Sequence, residues 1–446
     1  MTGIDKKLRI LHCGSSGLRL SAGIILVATT LAFGAQAEQA NVIPLDAHWA
    51  DSWSASEQPD WSREFWVVNG LPRALQNQTI RQFARISVGG SQLRVEISNI
   101  FGTTPLVVGS AHVARPAKDG AIAAATDVAL TFSGADSITI PPGASVWSDP
   151  ADFPTGDLES VAVSFFLPET SPTTTFHNDG RQIAYISGAG DFTSAESFDA
   201  QVTTQSRLFL SGISVETETA VPEIVMFGDS ITDGDGTTRG ANTRLPDQLA
   251  DRFVAEGIEA AVLNEGISGD RVLRDGLGTS ALERFDRDVF SHPNVKSVIF
   301  LMGINDIGWP GTPLTDASEP QPGAKEIIQG YRQIIDSAHT HGIRIIGATM
   351  TPFGGAFAGG ALETFYSPEK EEIRLAVNDW IRTSGAFDGV VDFDAVVRDP
   401  QSPGHIAQKF DSGDHLHPND DGYKAMAAAI APDMLGLKVK AAPASD

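Results

Sequence analysis

The chain of 446 residues carries 32 basic against 56 acidic side chains, a formal net charge of −24. Such a surface repels phosphate backbones and anionic headgroups, so nucleic acid and charged bilayers are excluded as expected partners. Its one cysteine gives no disulfide framework, and the length allows two domains whose cores stand without one.

Lys6, Lys7, Arg9 and Arg19 precede an apolar stretch from Leu20 to Phe33 that closes on Ala35-Gln36-Ala37. That layout predicts a secretory signal peptide over residues 1–37, cleaved after Ala37. The apolar run is short for a bilayer span. No stable membrane insertion is expected after cleavage, and the destination is the periplasm or the extracellular space. Cys13 lies within this leader, so the mature chain has no cysteine.

From about Trp49 to Val215 the chain reads as β structure, and a β-sandwich accessory domain is expected over residues 38–218. Thr79–Val88 alternates polar with apolar residues, Gly89-Gly90 follows, and Gln92–Ile97 resumes the same period of two, which predicts a hairpin. Further strand-like runs fall at Val128–Phe132, Ser137–Ile140, Val161–Leu167, Gln182–Ile186 and Arg207–Val215. Short strands with turn signals between them imply an all-β sandwich or jelly-roll-like domain. Its aromatic residues Trp66, Phe101, Trp147 and Phe176 are candidates either for a sugar-binding platform or for core packing.

The period changes between Val215 and Pro222, so a second domain is expected over residues 219–446. Strand-like runs at Glu223–Phe227, Ala260–Asn264, Ser297–Met302, Ile343–Thr349 and Gly389–Phe393 alternate with helical stretches. The helices are predicted near Leu245–Glu256, Ser280–Val289, Ala324–His341, Pro368–Thr383 and Asp421–Leu435. Apolar strands separated by amphipathic helices indicate an α/β domain, its parallel sheet covered on both faces.

The first of these strands stops at Gly228-Asp229-Ser230, which holds a serine hydroxyl at the carboxyl edge of the sheet, where open α/β sheets bind ligands. Asp229 reads as a turn carboxylate. The common lipase elbow G-x-S-x-G is absent, because Thr232 stands at its second glycine. Asp233-Gly234-Asp235-Gly236 lacks the spaced carboxylates of a calcium loop and reads as a flexible turn. Asn264 through Asp270 follows the second strand, Gly303-Ile304-Asn305-Asp306 follows the third, and Asp414-His415-Leu416-His417-Pro418 precedes the last helix. His415 and His417 compete for the role of base. No third ligand cluster accompanies them, so no metal is expected.

These four blocks, in this order, resemble the signature of the SGNH or GDSL hydrolases over roughly residues 221 to 436. The first half more loosely resembles the β-rich module that precedes this domain in some secreted esterases of the group. The resemblance implies a three-layer, flavodoxin-like α/β domain with a parallel sheet, preceded by the β domain. It implies Ser230 as nucleophile, His417 as general base and Asp414 as the carboxylate orienting it. It also implies an oxyanion hole from the N–H groups of Ser230 and Gly269 and the amide of Asn305.

Such a set makes chemical sense. A serine hydroxyl is a weak nucleophile until a base takes its proton, and preorganised donors hold the charge that develops on the carbonyl oxygen. Glycine at position 269 is expected because a side chain would obstruct the approach to substrate. Trp309, Phe353 and Phe357 are candidate walls of the substrate pocket. The implied activity is hydrolysis of a small-molecule or polysaccharide ester without metal or organic cofactor. Removal of small acyl groups such as acetyl from carbohydrates or glycosides is the expected form. A broad short-chain esterase, an aryl esterase and a lysophospholipase are alternatives. A carbohydrate-binding protein with a weak hydrolase half is the alternative of another kind.

Overall fold

Residues 48–61 and 70–437 are described by the computed structural model. The leader and Trp66 lie outside the described residues. In the first half, alternating inward side chains build ten principal strands: β1 (His48–Ser54), β2 (Gln78–Arg85), β3 (Leu93–Ser98), β4 (Ser110–Ala114), β5 (Val128–Leu130), β6 (Ser145–Trp147), β7 (Ser160–Leu167), β8 (Ala184–Ala189), β9 (Ala200–Thr204) and β10 (Leu210–Thr217). They form a four-stranded sheet in the order β1-β10-β3-β6 and a six-stranded sheet in the order β9-β8-β2-β7-β4-β5, with antiparallel pairing throughout. Ile80, Val161, Val163 and Phe165 of one sheet share a core with Leu93, Val95, Ile97 and Ile213 of the other.

The expected hairpin between β2 and β3 does not form. β2 pairs with β7 and β8, whereas β3 pairs with β10 and β6 in the opposite sheet. Between them the chain turns the corner of the sandwich: Ile86 N donates to Glu159 O at 3.0 Å and Ser87 N to Ser52 O at 2.8 Å. Gly90 is required at this crossing, since a Cβ there would stand 2.4 Å from the Glu216 carbonyl. A period of two marks a buried face, but two strands facing each other across a core show it as clearly as two paired strands. The run expected over Arg207–Val215 is likewise interrupted, at Phe209, whose φ is 59°.

The second half follows its predicted rhythm. Its elements are β11 (Glu223–Gly228), α1 (Ser230–Asp233), α2 (Leu245–Glu256), β12 (Ala261–Gly266), α3 (Ala281–Phe290), β13 (Val295–Leu301), α4 (Ile304–Gly308), α5 (Ala324–Thr340), β14 (Arg344–Ala348), α6 (Pro368–Thr383), β15 (Gly389–Val391), α7 (Phe393–Val397) and α8 (Asp420–Ala428). The sheet is parallel, in the order β12-β11-β13-β14-β15. Alternate side chains serve two cores. Val225, Phe227, Val298 and Phe300 pack with residues of α3, α5 and α6, and Ile224, Met226, Ile299 and Leu301 pack with residues of α2 and α8. This is the three-layer, doubly wound arrangement, with β11 at the point where strand order reverses. The last helix ends at Ala428, short of the expected Leu435, because Pro432 follows.

Candidate active site

Ser230 opens α1 directly after β11 and is buried. Asp229 caps this helix, its Oδ1 accepting from Ile231 N at 3.1 Å, and burial pushes its carboxyl up to about 7. From the loop before α8, His417 brings Nε2 to 2.8 Å from Ser230 Oγ. Its Nδ1 lies 2.6 Å from Asp414 Oδ2. Asp414 Oδ1 accepts from the backbone N–H groups of Leu416 and His417 at 2.9 and 2.8 Å. Burial opposes its charge, but the His417 hydrogen bond and charge and these N–H groups outweigh it, holding the carboxyl below the usual range. Burial also opposes the imidazolium of His417, yet Asp414, Asp235 and Asp229 together raise its pKa above the ordinary histidine value. His415 turns away and bonds Asp411 Oδ2 at 2.5 Å, so the structure brings His417, not His415, to the serine.

Gly269 adopts a φ of 78°, and a Cβ there would meet Leu277 Cδ1 at 2.3 Å and Trp309 Cζ2 at 2.8 Å. Neighbouring side chains and backbone conformation therefore demand glycine here, a stronger reason than room for substrate. Among the described residues its N–H has no protein acceptor. The Asn305 amide is oriented from both ends: Trp309 Nε1 donates to its Oδ1 at 3.1 Å, and its Nδ2 donates to Asp270 O at 2.9 Å. One N–H of Nδ2 remains for a ligand. Asp306 Oδ2 and Oδ1 accept from Val272 N and Leu273 N at 2.7 and 3.0 Å, tying this segment to the Gly269 loop.

Trp309 is thus buried behind the amide rather than lining an open wall, and Phe353 sits in the core against Phe365 and Tyr366. Phe357 stands beside His417, the two ring centroids 6.2 Å apart. Of the aromatic platform candidates, the three among the described residues are each engaged by the chain itself. Phe176 is buried against Trp61, Trp147 lies under Arg94 and Phe101 under Arg287. Replacing Trp309 by Phe, which keeps the packing but removes the donor, is expected to lower turnover about tenfold. Asn305→Ala is expected to lower it roughly 10²- to 10³-fold. Steady-state kinetics beside thermal melts checks both, and an Asn305→Ala enzyme with wild-type turnover would refute the role of the amide.

Sequence reasoning passed over the groups that hold these blocks together. Asp233, read within a flexible turn, is buried: its Oδ2 accepts from Ser268 N and Oγ at 3.0 and 2.7 Å, and its Oδ1 lies 3.1 Å from His177 Nε2 of the β half. Asp235 lies 3.8 Å from His417 Nε2 and 3.5 Å from Arg181, also of the β half. The Leu277 carbonyl accepts from Gln58 Nε2 and Trp61 Nε1, both at 2.7 Å. The first half therefore grips the loop carrying Gly269 from two sides. Arg284 is fully buried under the same region, bonding Asp270 Oδ2 at 2.7 Å, Gly228 O at 2.8 Å and Glu265 O at 2.9 Å. Only the spacing of Arg284 and Asp288 at i and i+4 hinted at such a pair. Among the described residues no three carboxylates, histidines or cysteines group to hold a metal ion, and no helix is long and apolar enough to cross a membrane.

Residues 224–430 match the family model described as GDSL-like Lipase/Acylhydrolase. A search of curated proteins gives no match. Among solved structures, the chain is similar to the lipase/acylhydrolase from Enterococcus faecalis, at 22% identity and a TM-score of 0.37, with 50% of this chain and 100% of that one covered. It is similar to a carbohydrate acetylesterase family member from Sinorhizobium meliloti, at 19% identity and a TM-score of 0.37, with 49% of this chain and 100% of that one covered. The inhibitor-bound aryl esterase of M. smegmatis shows 15% identity and a TM-score of 0.39, with 49% of this chain and 100% of that one covered.

Proposed function

We propose, from the premise that residues 224–430 form a GDSL-like lipase/acylhydrolase domain and the chain is a carboxylic ester hydrolase, that Ser230, His417 and Asp414 work as its triad through an acyl-serine intermediate. The observation that carries this reading is the continuous hydrogen-bonded line from Asp414 through His417 to Ser230 Oγ, at 2.6 and 2.8 Å. His417 Nε2 takes the hydroxyl proton as Ser230 attacks the ester carbonyl, and Asp414 stabilises the imidazolium. The N–H groups of Ser230 and Gly269 and the free Asn305 N–H receive the oxyanion. His417 then protonates the leaving alcohol, and water activated by the same imidazole releases the acid.

The preferred substrate is a small acyl group on a carbohydrate or glycoside. Supporting this, Asp235 lies 3.8 Å from His417 Nε2 on one side with a single aromatic ring, Phe357, on another, and among the described residues the exposed large apolar side chains Ile183, Val254, Leu282 and Leu375 belong to none of the triad segments. A lysophospholipase would need an apolar face there for its chain. Export follows from the leader over residues 1–37, and the chain reads as a periplasmic or extracellular enzyme.

Fluorophosphonate labelling of protein from the exporting cell tests these points together. The intact mass is expected to show one adduct, placed on Ser230 by peptide mapping, on a chain beginning at Glu38. Its rate should rise with pH as His417 loses its proton, because only the neutral imidazole acts as base. Since His417 is shifted upward, the midpoint should lie above about 6.5 and fall in an Asp414→Asn variant. A label on another residue, or a pH-independent rate, would rule the mechanism out.

A further inference from the structure

A groove of about 490 Å³ lies between the outer face of the six-stranded sheet and the segment Arg239–Asn242 of the second half. Its lining includes Arg85, Arg181 and Arg239 and no acidic side chain, in a chain with 56 acidic residues. Two of these arginines are already paired, Arg85 with Asp251 at 2.5 Å and Arg181 with Asp179 at 3.2 Å. Arg239 is exposed and has no carboxylate partner among the described residues. The groove thus presents an uncompensated cation within a strongly anionic surface.

A second feature is the polar lining, to which Gln205, Gln182 and Asn242 contribute. Gln182 Nε2 donates to Asn242 Oδ1 at 2.6 Å, which leaves the Gln182 carbonyl and the Asn242 amino group for further bonds. Hydroxyl donors and acceptors with a carboxylate among them describe a sugar acid. The groove also adjoins the reaction site. Arg181 lines it and donates to the Thr237 carbonyl, and the same guanidinium faces Asp235, the carboxylate 3.8 Å from His417 Nε2.

We propose that this groove is a subsite for an acidic oligosaccharide, a uronate-bearing sugar chain whose carboxylate meets Arg239 and whose hydroxyls meet the Gln182 carbonyl and the Asn242 amino group. That the acylated unit of the same chain reaches Ser230 rests on the hydrolytic reading above. The overall charge of the chain disfavours polyanions, so the groove is a local reversal that selects where such a ligand settles.

Isothermal calorimetry of the full mature chain with trigalacturonate, and with xylotriose as the neutral control, tests the proposal. Trigalacturonate should bind at least tenfold more tightly than xylotriose. The exposed-site variant Arg239→Ala should weaken it about tenfold, as should about 0.5 M NaCl, which screens exposed charge. Absence of trigalacturonate binding, equal binding of xylotriose, or an Arg239→Ala protein that binds like wild type would each overturn it. Loss of binding with Ser230 labelling intact removes the subsite alone. Binding without labelling upholds the groove and removes the hydrolytic reading.

Discussion

Ser230→Ala is expected to lower the turnover of p-nitrophenyl acetate by roughly 10⁴-fold or more while the protein melts within about 2 °C of wild type. The two halves of that expectation have separate causes. Ser230 Oγ touches His417 Nε2 at 2.8 Å, a single hydrogen bond whose loss costs about 1 kcal/mol of stability. In the proposed mechanism the same oxygen forms the covalent bond to the acyl carbon. Without it, the donors at Gly269 and Asn305 have no tetrahedral intermediate to stabilise. Initial rates and differential scanning fluorimetry on matched preparations decide the matter. Turnover within tenfold of wild type would end the acyl-serine mechanism.

Arg284→Met should cost about 3–5 kcal/mol of stability, because it leaves buried carboxylates without their partner. Arg284 and Asp270 are both fully buried, and burial pushes the Asp270 carboxyl up to about 7 even with the guanidinium 2.7 Å away. Asp288 retains Arg287 at 2.6 Å, so Asp270 bears most of the loss. A double variant, Arg284→Met with Asp270→Asn, should recover part of the stability, since it removes the stranded charge as well. Activity should fall in both, because Arg284 bonds the carbonyls of Gly228 and Glu265 at the ends of β11 and β12. Urea unfolding followed by fluorescence measures this. A single variant as stable as wild type would show that the buried cluster is not what holds those strand ends.

The second half was legible in the sequence because each signal had a local cause. Strands buried on both faces read as apolar runs, and helices such as α6 carry Ser367 and Pro368 at their start. Ser230, His417 and Asp414 were legible as motifs, and the structure brings them to hydrogen-bonding distance. The first half was harder. Its strand β1 packs inward Ala50 and Trp53 among polar residues, and β9 is largely exposed, so neither presents a clean period. The misread hairpin at Gly90 shows the same limit, since pairing partners are set by the whole sandwich rather than by neighbours in the chain. His177, Asp233 and Arg284 were invisible for a related reason. Each acts across 35 or more residues for at least one partner, and no spacing rule reaches that far.

The joint between the two halves carries buried polar couples beside apolar packing of Val221 and Ala261. Asp51 meets His292 at 2.8 Å, Ser56 bonds Glu265 and Asp288 at 2.5 and 2.8 Å, and Glu223 receives the N–H groups of Asp51 and Asn294 at 2.7 and 2.9 Å. Oily faces can be parted and recombined with new companions at modest loss. Here, parting the two halves would strand one member of each buried polar couple, so an exchanged sandwich should lose stability. Gene shuffling that kept the fold would have to carry both partners of every couple together.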